Sequence, residues 1–184
     1  MRFDPNKAIQ AAAVVLKQHR GVASRLRLLK ILVIADREAL GETLELITAD
    51  ALAAMDHGPV PSATYDMLKG TSLHSELWDR FIQRNGPQNL QLVNDPGVSR
   101  LSRYEIEKLQ SICDRFRDAD DYALAHYTHT FKEWAKNKPV GGSSKHIPLS
   151  DRLEALDLTE HRQRVEADIQ EEHELDQLFG RAAQ

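Results

Sequence analysis

The chain has 184 residues, 41% hydrophobic and 28% charged, with a formal net charge of −4. That is enough for one ordinary domain plus an extension. No apolar run approaches the ~18 residues needed to span a bilayer, and the N-terminus MRFDPNKAIQ lacks the basic-then-apolar layout of a signal peptide, so export is not expected and the cytoplasm is. The single cysteine, Cys113, rules out an internal disulfide and fits a reducing compartment.

In chain order, Asp4-Pro5 opens a helix as N-cap and first-turn proline. Ile9, Ala12, Ala13 and Leu16 repeat at helical spacing, and Gly21 stops the run. Arg25 to Leu40, RLRLLKILVIADREAL, comes next; from Leu26 to Ala35 only Arg27 and Lys30 are polar. A helix apolar on most of its circumference belongs inside a fold, so this stretch is read as a buried central helix ending at Gly41. A third helix is expected from Thr48 through Ala51, Leu52 and Met55, broken by a fixed turn at Gly58-Pro59-Val60-Pro61. Ser62 restarts a helix that Gly70 ends, and Leu77, Trp78, Phe81 and Ile82 fit another.

Beyond Gly86-Pro87 the period changes. Leu90 and Leu92 alternate with polar neighbours ahead of Asn94-Asp95-Pro96-Gly97, which fits a small β-hairpin near 90–101, although a plain loop would carry the same residues. Ser102-Arg103-Tyr104-Glu105 is a capping box for a helix bearing Ile106, Leu109, Ile112, Cys113 and Phe116. Asp120-Asp121 start a further helix through His126-Tyr127-Thr128-His129, and Trp134 lies on a short one after it. The fold class expected is mainly α, a compact multi-helix domain around the central helix. The division expected is a domain over 1–138, a linker over 139–148 and an acidic helical extension over 149–184.

Charge is unevenly spread. Residues 150–184 hold ten Asp or Glu and four Arg, a balance of −6 that leaves +2 for residues 1–149. An acidic tail on a near-neutral body argues against broad phosphate-backbone binding, so DNA is not an expected partner. The basic cluster Lys17, Arg20, Arg25, Arg27 and Lys30 reads as a solvated helix edge, or else as an electrostatic partner for the tail or another protein. Apolar residues of the extension, Leu149, Leu153, Leu156, Val165, Ile169 and Phe179, either do nothing specific or anchor a partner.

Candidate chemistry is sparse. His126 and His129 share a helix face near Asp120 and Asp121, but this is not an H-E-x-x-H pattern and no third ligand is specified. A polar network fixing a helix junction is the favoured reading over a metal. Cys113, on an apolar face, reads as an inert core thiol. Asp36 and Arg37, adjacent on a helix, point in different directions and read as ion-pairing or capping groups. No P-loop, dinucleotide fingerprint or nucleophile elbow occurs, so no cofactor and no metal are expected.

Three segments in order, LLKILVIADREAL, MDHGPVPSATYDML and LAHYTHTFKEW, resemble the Panacea domain of the SocA-like antitoxins, a family that includes phage-associated proteins. The resemblance covers roughly residues 5–137. Val33 and His57 depart from it, standing where the family has aromatic residues. It implies an antitoxin of a toxin–antitoxin system, not an enzyme, neutralising a cognate protein toxin encoded next door by direct contact. Alternatives kept open are an adaptor delivering a bound protein to a ClpXP-type protease, and a metal-dependent hydrolase using His126 and His129. The residues the resemblance carries over are Lys30, Asp36, Arg37, Gly58, Pro59, Val60, Thr128, His129 and Trp134, as a partner-binding or a structural cluster.

Overall fold

The computed structural model describes residues 3–165 and 167. Helix α1 (Pro5–Gln18) begins as the sequence requires, with Asp4 accepting the Asn6 amide at 2.9 Å. Strand β1 (Val22–Ser24) leads into α2 (Arg25–Thr43), whose N-cap Ser24 accepts the Arg27 amide. Helix α2 packs against α1 and several later elements, and its residues Leu28 to Ala35 lie buried in the main core. Gly41 does not end this helix; the left-handed residue that does is Leu44, at φ +64°. A Cβ on Gly41 would sit 3.7 Å from Leu156, an ordinary contact, so the C-terminal segment packs beside this turn without requiring glycine there.

The expectation of a mainly α, multi-helix domain is corrected: the fold is mixed α/β, with helices predominating and two three-stranded antiparallel sheets. Residues read as a third helix form strand β2 (Leu52–Met55), paired with β3 (Gly58–Pro61). The four apolar residues LAAM favour a helix locally, but β2 is the central strand of its sheet and is bonded on both sides, which overrides propensity. Strand β3 carries both prolines of the expected turn. It lies at the sheet edge, where a proline withholds no ladder hydrogen bond.

Helices α3 (Ser62–Lys69) and α4 (Ser75–Asp79) follow, then a hairpin of β4 (Ile82–Asn85) and β5 (Asn89–Leu92). The hairpin expected near 90–101 therefore lies over 82–92. Its turn is at Gly86-Pro87-Gln88, with Gly86 at φ +77°, and the Asn94–Gly97 residues belong to the loop beyond. Strand β5 is central in this sheet, between β1 and β4. The capping box forms at the start of α5 (Arg103–Arg115), and Asp120 caps α6 (Asp121–His129); α7 (Lys132–Asn137) carries Trp134.

Within the 139–148 stretch, Lys145–Ile147 forms β6, antiparallel to β2. Helix α8 (Leu149–Ala155) and a 3-10 turn (Thr159–His161) follow. Leu153 and Val165 bury against Leu40 and Leu46 in a second apolar cluster. The later part of the expected helical extension, including Ile169 and Phe179, lies outside the described residues.

Candidate functional site

The residues carried over from the sequence gather at two places along α2. The first centres on Lys30, which lies one and a half turns before Asp36. Lys30 is 2% exposed, and its ammonium donates to the Pro59 carbonyl at 2.8 Å. Burial pushes the Lys30 amine down from 10.5 to about 7. Gly58 has φ +95°, and a Cβ there would stand 2.5 Å from Thr128 Oγ1, 3.0 Å from Lys30 Nζ and 3.2 Å from His129 Cδ2. Only glycine satisfies both the left-handed backbone and that approach. Trp134 donates its indole N–H to the Met55 carbonyl at 3.0 Å, and its ring stacks on His129 with centroids 4.2 Å apart. Burial first, then the nearby Lys30, His126, Lys138 and His57, lower the His129 pKa. Lys30, Gly58, Pro59, Thr128, His129 and Trp134 therefore form one contiguous group.

Asp36 and Arg37 keep different company. Asp36 accepts the Thr48 amide at 2.9 Å and its hydroxyl at 2.5 Å. Asp50 accepts the amides of Ala63 and Thr64 and the Thr64 hydroxyl, so it supplies the cap that Pro61 cannot give to α3. Burial pushes both carboxyls up, opposed at Asp36 mainly by the charge of Arg152 on α8. Arg152 is 3% exposed, and its Nε and Nη2 have no hydrogen-bond partner, nor does Glu133 Oε2. Arg37 donates from Nε to Glu133 at 2.8 Å and lies over the Phe131 ring. Asp50, Glu133 and Arg152 were not singled out by the sequence, and Thr48 only as the start of a helix that does not form. Only the polar side chains of Thr48 and Asp50, flanking an otherwise apolar segment, hinted at them.

The SocA-like antitoxin family, Panacea domain, matches residues 28–135, more than half of the chain. The chain belongs to this family. No curated protein and no solved structure matches it. The matched stretch runs from Leu28 on α2 to Ala135 on α7, so it contains every residue carried over from the sequence and excludes Arg152. Membership supports an antitoxin-type role and suggests a protein toxin as partner.

The Lys30 group of this Panacea domain is flanked by two cavities. One, about 250 Å³, is walled by Leu29, Lys30, Met55, His57, Val60 and Tyr65. The other, about 520 Å³ and wide open, is walled by His57, Asp120, Tyr122, Ala125, His126 and His129. His57 lines both, so the two adjoin at that residue, the larger forming an open face. Tyr122 stands 80% exposed on it. The His126 and His129 rings are 6.3 Å apart, and among the described residues no group of three or more His, Cys, Asp or Glu could hold a metal. Cys113 is buried, and burial pushes its thiol up to about 12, which keeps it protonated and non-nucleophilic at neutral pH.

The basic cluster seen in the sequence does not form one face. Lys17 pairs with Asp95, Arg27 bonds Asp121 and the Phe116 carbonyl, and Lys30 is interior. Among the described residues no helix is long and apolar enough to cross a membrane.

Proposed function

We propose that this chain is an antitoxin that neutralises a partner toxin by direct protein–protein contact, without catalysing a reaction. The observation that carries this reading is the family match over residues 28–135. The contact surface proposed is the open face of His57, Tyr122 and His126 beside Lys30, Gly58 and His129. An exposed tyrosine next to a concave, partly apolar surface suits a protein interface, where aromatic anchors carry much of the binding energy. Asp36, Arg37 and Glu133 hold the fold that presents this face.

The test is co-expression with the protein encoded by the adjacent gene. The expected result is rescue of growth together with a complex that co-purifies. Rescue without a complex would contradict neutralisation by contact.

A further inference from the structure

The smaller cavity carries a ligand reading of its own, independent of which toxin the chain meets. Its walls are mostly apolar: Leu26, Leu29, Met55 and Val60, with Tyr65 at one side. Charge around it is lopsided. Lys30 is in the wall, Arg25 and His57 line it as well, and the Lys69 ammonium sits 5.1 Å from the Tyr65 ring centroid. Asp56 is the one acid among the lining residues. An apolar hollow with a cationic surround suits an anion that carries an apolar body.

Lys30 defines the anion. An ammonium has three donors, and this one gives a hydrogen bond to the Pro59 carbonyl. A buried cation with spare donors is costly until an acceptor of opposite charge arrives. A volume of about 250 Å³ is at the small end for ligand pockets. It suits a body the size of one side chain, not a nucleotide.

We propose that this cavity binds a small monocarboxylate with an apolar body, the carboxylate on Lys30 and the body against Leu29, Met55 and Val60. Either a free carboxylic acid or the C-terminal residue of another chain presents that chemistry. Lys30, with its pKa at about 7, takes up a proton when the anion binds at slightly alkaline pH. The other ionisable groups facing it are Arg25, Asp56 and His57 along the cavity and His129 from α6.

The test is calorimetric titration of the whole chain with N-acetyl-leucine, its uncharged amide, and an acetylated alanyl-alanyl-leucine peptide. The expected result is binding of the free acid with ~10-fold or greater preference over the amide, a difference of about 1.4 kcal/mol. At pH 8, binding should be accompanied by proton uptake, seen as a dependence of the heat on the buffer. Lys30→Met should remove both the preference and the proton uptake. Val60→Trp, which fills the hollow from the β3 wall, should abolish binding even if Lys30→Met fails to fold. Peptide binding as tight as the amino acid's identifies a chain terminus as the source, and binding of the amino acid alone identifies a free acid; both support the proposal. No binding at ~10 mM, equal binding of acid and amide, or undiminished binding by Val60→Trp would overturn it.

Discussion

The two halves of α2 use polar residues in opposite ways. At Lys30 the buried ammonium, Gly58 and His129 lie just behind a face with two cavities, and the groups around them meet solvent. At Asp36, six residues on, the carboxylate is enclosed by Thr48 on one side and reached by the charge of Arg152 from α8 on another. The first arrangement leaves groups available to something outside the chain. The second is completed from within it, by a residue beyond the family match. We propose that residues belonging to one motif in the sequence separate into a set that can meet a partner and a set that holds the scaffold.

Removing Arg152 should break the sealed end most severely. Arg152→Ala leaves Asp36 and Asp50 buried without their compensating cation, a situation that costs about 3–5 kcal/mol. Urea denaturation checks it; a loss below ~1 kcal/mol would mean that α8 does not seal this end. Gly58→Ala tests the open end through its backbone. The left-handed φ and the 2.5 Å approach to Thr128 together should cost about 2–4 kcal/mol by the same measurement.

A smaller effect follows from Lys30. Below pH 7 the lysine is charged in both folded and unfolded chains, and its burial penalty acts in full. Between about 7 and 10.5 the unfolded chain binds the proton more tightly than the folded one, so stability rises with pH. From pH 7 to 8.5 wild type should gain at most about 2 kcal/mol relative to Lys30→Met. Parallel pH profiles for the two proteins would show that the ammonium is not desolvated.

Much of this was legible in the sequence wherever the signal was local. Asp4-Pro5, the Ser102 box and Asp120 each marked a helix start that the structure keeps, because a cap is decided within four residues. The glycine at 58 was likewise readable as a backbone requirement. Leu52–Met55 was not: a four-residue apolar run fits either state, and its strand form depends on partners three to nine residues away in β3 and more than ninety away in β6. Gly41 misled as well, since the helix runs through it and Leu44 ends it. Arg152 was the least legible, a lone charge in an acidic stretch, two of whose counter-charges, Asp36 and Asp50, lie more than a hundred residues earlier. A deletion starting at Ser150 would therefore remove Arg152, Leu153 and Val165 from buried sites.

The central claim is that the open face, not the sealed end, meets the toxin. The most direct measurement is the affinity of a Tyr122→Glu, His126→Glu double variant for the protein encoded by the adjacent gene, with thermal stability recorded alongside. Both positions are exposed, so the fold should be unaffected. The account predicts unchanged stability with a ~10-fold or greater loss of affinity and of growth rescue. Wild-type affinity in a folded double variant would contradict it.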